Sequence, residues 1–122
     1  MQFSIIIPAH NAESSLPETL SSIYGQTYGD YEIILINDGS ADTTESVCKV
    51  FCGSHNNTHY VRQNNKGVYE ARRTGVKIST GDYLVFVDAD DCLRSDTLSI
   101  LAREIGKYNP DVVCFSYTRN AD

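Results

Sequence analysis

The sequence is short of positive charge. It holds 10 Lys and Arg against 16 Asp and Glu, a formal charge of −6, with no basic run or stripe along it. A nucleic-acid groove and an anionic membrane surface both need such a stripe, so neither is an expected partner. Long hydrophobic runs are missing as well. The apolar stretch near the start, Phe3 to Ala9, is interrupted by Ser4 and Pro8. It is too short to cross a bilayer and lacks the basic flank of a signal peptide. The location this predicts is cytoplasmic, with any attachment to the inner face of the membrane made peripherally through other segments or partners. Cysteine is scarce: Cys48, Cys52, Cys92 and Cys114 are scattered, and only the first two are close enough to share a helical face. A zinc site needs four ligands in tighter pairs, so reduced, partly buried thiols are expected. The Asn56-Asn57-Thr58 sequon carries no meaning without a secretory signal.

What is present is a regular alternation of strand and helix over 122 residues. Hydrophobic residues make up 41%, enough for one core in a single domain spanning 1–122. Ser4-Ile5-Ile6-Ile7-Pro8 reads as a strand buried on both faces. A helix follows from Ser15, which with Glu18 forms a capping box around Pro17. Leu16, Leu20, Ile23 and Tyr24 supply its apolar face, and Gly25 its stop. Tyr31 to Ile36 is the second strand. Asp42 and Glu45 start the next helix, with Val47, Val50 and Phe51 turned inward. His59 to Arg62 is a short third strand, and Gly67 opens a helix carrying Val68, Ala71, Gly75 and Ile78 on one side. Tyr83 to Val87 is the fourth strand, a helix from about Ser95 to Gly106 buries Leu98, Leu101 and Ile105, and Asp111 to Tyr117 predicts a fifth. The class is therefore α/β, an open, mostly parallel sheet with helices on both faces. Ligands of such sheets bind beyond the carboxyl ends of the strands, where three polar loops fall: Pro8-Ala9-His10-Asn11, Asn37-Asp38-Gly39-Ser40 and Asp88-Ala89-Asp90-Asp91.

Three features carry chemistry. Asp88, Asp90 and Asp91 crowd three carboxylates into four residues. Hard oxygen ligands at that density suit Mg²⁺ or Mn²⁺ with substrate phosphates; the alternative is a solvated turn in which Asp91 or Ser95 caps the next helix. Asp38, held at a strand end by Gly39, can accept a hydrogen bond from a ring N–H such as uracil N3, or can simply close an Asx turn. Arg72 and Arg73 lie near the start of the helix that Gly67 opens. One can reach a diphosphate, or both can form surface ion pairs with Glu70 or Asp82.

Other doubly wound folds lack their marks here. A receiver domain needs an acidic pair after its first strand and a Lys after its fifth. A haloacid-dehalogenase-type phosphatase needs its Asp-x-Asp after the first strand. A dehydrogenase needs Gly-x-Gly-x-x-Gly there. None of these is in the sequence. Instead, four blocks in order resemble the large inverting GT-A glycosyltransferase family that includes bacterial polysaccharide transferases and is similar to cellulose, chitin and hyaluronan synthases. They are Ser4 to Asn11, Ile36 to Asp42, Asn65-Lys66-Gly67 through Ala71-Arg72, and Thr80-Gly81-Asp82 running into Asp88-Ala89-Asp90-Asp91.

The resemblance implies a GT-A, Rossmann-like fold that moves a sugar from a UDP-sugar to an acceptor hydroxyl, on a saccharide or lipid-linked acceptor, with inversion and a Mn²⁺ or Mg²⁺ cofactor. It implies a nucleotide pocket from Pro8, His10, Asn11, Glu13, Asp38, Arg72, Asp88 and Ala89, with Asp90 and Asp88 at the metal. His10 stands where tyrosine is often found, and Arg73-Thr74 departs from the commoner Arg-Asn pair. The family supplies its catalytic base, and most of its acceptor site, from a later segment, so the base is expected beyond the C-terminus. Self-association through an uncovered sheet edge or face is the corollary. The other class of reading is a nucleotide-sugar-binding or assembly module that binds without transferring.

Overall fold

The computed structural model describes residues 1–116. Along the chain come β1 (Phe3–Ala9), α1 (Leu16–Tyr24), β2 (Tyr31–Asp38), α2 (Thr44–Ser54), β3 (Thr58–Gln63), α3 (Val68–Ile78), β4 (Tyr83–Phe86) and α4 (Thr97–Tyr108). The strands form one parallel sheet in the order β3-β2-β1-β4. Ile5 pairs with Ile33 on one side and Val85 on the other, so alternate residues of β1 and β2 share a face. Phe3, Ile5, Ile7, Tyr31, Ile33 and Leu35 pack with Leu16, Leu20 and Ile23 of α1, Cys48 of α2 and Leu98, Leu101 and Ile105 of α4. Ile6, Ile34 and Ile36 face Ala71 of α3 across the sheet. The chain steps outward from β1 to β2 to β3 and then returns to β1's other side, and that reversal carries α3 to the opposite face. The α/β class and the helices on both faces are as the sequence predicts.

Pro8 lies inside β1 rather than at its end. Ile6 accepts a hydrogen bond from Val87 N–H; Pro8, two residues on, turns its nitrogen to the same side, just where the β4 ladder has stopped. Other ends differ from expectation for local reasons. Ser15 makes no side-chain cap, and its backbone N–H bonds Ala12 O instead. α4 runs through Gly106 and stops on Asn109, which takes the left-handed conformation at φ 46 that Asn tolerates. Val50 is exposed, because the inward face of α2 runs through Thr44 and Cys48, with Val47 and Phe51 packed beside them. Val68 and Ile78 of α3 are exposed, leaving Ala71 and Gly75 as its contact. Burial pushes the Cys48 thiol up to about 12, whereas Cys92 and Cys114 are exposed.

The fifth strand does not form over residues 111–116, and Tyr117 lies outside the described residues. The segment instead walls an apolar cleft of about 780 Å³ with Phe3, β4, Leu101 and Ile105. An extended apolar sequence becomes a strand only when an edge pairs with it, and β4's outer edge is unpaired among the described residues. No helix among those residues is long and apolar enough to cross a membrane.

Candidate functional site

The strand order reverses at β1, and beyond the carboxyl ends of β1 and β4 a crevice lies between their loops and the start of α3, which packs on the opposite face. A cleft of about 460 Å³ opens at this point, lined by Pro8, His10, Asn11, Arg72, Asp88, Ala89 and Asp90. Ala12, Ser15 and Val68 complete it; the sequence assigns Ser15 to a helix cap and Val68 to an apolar helix face, and nothing in it marks any of the three for the site. The larger apolar cleft beside β4 has no comparable set of convergent polar groups. Asp38 and Glu13 lie outside the lining of this smaller cleft, and each is bound to a neighbouring loop.

Asp38, 5% exposed at the end of β2, accepts from Gln63 Nε2 at 3.0 Å, Lys66 N–H at 2.7 Å and Gly67 N–H at 2.8 Å. Its carboxylate thus pins the β3–α3 loop and the start of α3. Oδ2 takes only one of these bonds and keeps a lone pair for a further donor. Asp38 does not close the Asx turn open to it; the turn is held by Asn37, whose Oδ1 accepts from the Ser40 N–H and hydroxyl three residues on. Gly39 follows at φ 68, and a Cβ there would stand 2.8 Å from Asn65 N; both the backbone angle and the packing exclude a side chain.

Two backbone groups settle the polar edge of the cleft. The Asp38 carbonyl can only accept, so His10 Nδ1, 2.7 Å away, carries the proton. Ala41 N–H can only donate, so Asn11 presents Oδ1 to it at 2.8 Å and turns its amide nitrogen to His10 Nε2 at 3.3 Å. Asn11, at φ 49, thereby holds one imidazole tautomer and clasps the two loops. Glu13 accepts from Thr43 N–H at 2.9 Å and from the Thr43 hydroxyl, capping the start of α2. The buried hydroxyl of Thr44 bonds Ala12 N–H at 2.8 Å and adds to the same clasp.

Ligand oxygens of Asp88, Asp90 and Asp91 all lie within 4.8 Å of one another, and all three residues are exposed. Burial and the charges of Asp90 and Asp88 raise the Asp91 pKa. Neither Asp91 nor Ser95 caps α4, whose N-cap is Asp96. Thr19 Oγ1 donates to the buried Ala89 carbonyl at 2.9 Å and fixes the acidic turn on α1. Three hard carboxylate donors this close fit Mg²⁺ or Mn²⁺. Arg72 Nη2 bonds Asp88 Oδ1 at 3.0 Å, and with both side chains partly exposed the pair contributes roughly 1 kcal/mol or less. Arg72 Nε is buried without a partner among the described residues. Arg73 pairs with Glu70 at 3.8 Å, away from the cleft.

A family model of glycosyl transferase family 2 matches residues 4–122. The chain belongs to that family. It is 36% identical over 116 residues to glycosyltransferase GlyA of Streptococcus pneumoniae, covering 95% of this chain and 17% of GlyA. Its fold is similar to that of S. aureus TarS, solved in complex with UDP, at a TM-score of 0.83 and 27% identity over 89% of this chain and 33% of that one. It is also similar to the mannosyltransferase PcManGT from Pyrobaculum calidifontis, solved with GDP-Man and Mn²⁺. There the TM-score is 0.79 and the identity 26%, over 84% of this chain and 32% of that one. The chain thus spans well under half the length of each of these three proteins. The GT-A, Rossmann-like sheet expected of family 2 is the sheet observed, and its switch-point cleft collects seven of the nine site residues named from the sequence.

Proposed function

We propose that this chain forms the nucleotide-sugar-binding portion of an inverting, metal-dependent family 2 glycosyltransferase that uses a UDP-sugar. The observation that carries the reading is the convergence of Arg72 with the Asp88, Asp90 and Asp91 carboxylates at the switch point, beside the loop that Asp38 anchors. In an acidic chain these groups supply what an anionic ligand needs. His10 offers a ring to the base, and the spare lone pair of Asp38 suits the uracil N3–H. Arg72 donates to the diphosphate and stabilises the charge it gains on leaving. Asp90 with Asp88 would hold a divalent cation, which when bound neutralises the diphosphate as a Lewis acid. In the reaction, an acceptor hydroxyl attacks the anomeric carbon opposite the diphosphate. The carbon–oxygen bond to UDP breaks, and configuration inverts. Among the described residues, the cleft's carboxylates are those assigned to the cation, so the base that takes the hydroxyl proton is sought outside it. That same observation favours the second reading, a module that binds without transfer, which a turnover assay separates.

The exposed Leu84 and Phe86 beside the unpaired β4 edge support self-association of this chain, a second copy covering them. Uracil recognition is tested by titrating UDP and CDP with Mn²⁺ present. UDP should bind about tenfold more tightly, because cytosine N3 turns a lone pair toward the Asp38 carboxylate. Equal affinities would refute the uracil assignment, and binding of neither would refute the site.

A further inference from the structure

Arg72 stands between two duties. As the cleft's guanidinium it faces the diphosphate on the reading above, on which this inference rests. Yet it bonds Asp88 Oδ1 at 3.0 Å, and Asp88 is one of the three carboxylates whose oxygens lie within 4.8 Å of one another. We infer that Arg72 is a built-in competitor of the divalent cation at Asp88, and that the diphosphate draws it away.

Two positive charges compete for one carboxylate. A cation held jointly by Asp88 and Asp90 stands within a few ångströms of anything bonded to Asp88, and a guanidinium there repels it. The Arg72–Asp88 pair is exchangeable, since the two side chains are 40% and 52% exposed. It also satisfies the guanidinium incompletely: one Nη2 bond is made to Asp88, while the buried Nε N–H has no partner among the described residues. A phosphate with several acceptor oxygens can satisfy both donors, which a single Asp88 oxygen does not. Among the described residues, the remaining charged or titratable groups of the cleft are His10 and Asp90, and neither pairs with Arg72. Diphosphate binding therefore moves Arg72 off Asp88 and completes the carboxylate set for the cation. By linkage, the cation favours the diphosphate by the same factor. Arg72 is thus a positioning residue for the cation as well as a ligand of the nucleotide.

The test follows free Mn²⁺ by its electron paramagnetic resonance signal in titrations of wild type, Arg72→Gln and Arg72→Lys, first alone and then with UDP. Arg72→Gln should bind Mn²⁺ alone about tenfold more tightly than wild type, while Arg72→Lys, which keeps the charge, stays within about twofold. With Mn²⁺ saturating, Arg72→Gln should bind UDP about tenfold more weakly. Opposite signs for the two ligands are the signature. Weaker Mn²⁺ binding by Arg72→Gln would make Arg72 a brace of Asp88, and unchanged binding would make it a diphosphate ligand alone; either overturns the competition. Absence of UDP binding by wild type would overturn the nucleotide reading instead, with the Mn²⁺ arm still deciding on Arg72.

Discussion

Asp38 shows how much one carboxylate can organise. Burial works to raise its pKa, but the hydrogen bonds from Gln63 and from the Lys66 and Gly67 N–H groups outweigh it and hold the group below its ordinary 3.8. Glu32, at the far end of β2, is held below 4.5 in the same way, its burial outweighed by bonds from Ser4 and Thr80. A folded pKa below the unfolded one means stability that is fully present above the unfolded value and lost as pH falls through the folded one. The protein should therefore hold its stability from about pH 7 down to about pH 5 and lose it steeply below about pH 4. Asp38→Asn should cost about 2–3 kcal/mol at about pH 7, because an amide nitrogen is then set among N–H donors, and should flatten the acid limb. Urea unfolding across this range checks both; an unaltered acid limb in Asp38→Asn would contradict the assignment. The sequence placed Asp38 at a strand end but not its partners, because Gln63, Lys66 and Gly67 reach it from 25 to 29 residues away. The same distance problem hid the Arg72–Asp88 pair and the capture of Glu13 by Thr43.

At the scale of elements, α3 rests on the sheet through Ala71 and Gly75. A Cβ added to Gly75 would stand 2.5 Å from Ile6 Cγ2 and 3.0 Å from Ile36 Cδ1, and both isoleucines are fully buried and cannot yield. Gly75→Ala should destabilise by about 1–3 kcal/mol despite alanine's better helix propensity. Gly106, inside α4 with nothing within 4 Å of its added Cβ, should respond oppositely, Gly106→Ala stabilising by up to about 1 kcal/mol. Denaturant midpoints decide; the same sign at both glycines would contradict the packing of α3. Strand cores and apolar helix faces were legible because burial imposes their periodicity: Ile5-Ile6-Ile7 and the Leu16, Leu20, Ile23 series sit as read. Helix ends were less so. Ser15 has a capping residue's chemistry but spends no side-chain bond on α1, and Asn109 ends α4 through a backbone angle that no periodicity reveals.

For the whole molecule, the centre of the sheet is covered on both faces, whereas β4, an edge strand among the described residues, is bare on one. β2 is buried along all eight residues, whereas Leu84 and Phe86 of β4 are exposed, since α3 covers β1 and β2 and leaves β4 bare. The fifth strand was legible as an apolar extended sequence, but strand formation also depends on what pairs and covers it, which lies outside the segment itself. Sedimentation should detect concentration-dependent association of this chain, and Phe86→Lys should weaken it about tenfold by setting a charge on the bare face. A monomer at all concentrations would remove the self-association proposal without touching the nucleotide site.

The central claim is that the carboxylates at the switch point hold a divalent cation for a nucleoside diphosphate. It is tested most directly by calorimetric titration of UDP, with and without Mn²⁺, into wild type and Asp90→Ala. The account predicts Mn²⁺-dependent binding that Asp90→Ala weakens by at least about tenfold, through loss of an anionic ligand to the cation. UDP binding that is indifferent both to Mn²⁺ and to Asp90 would contradict it.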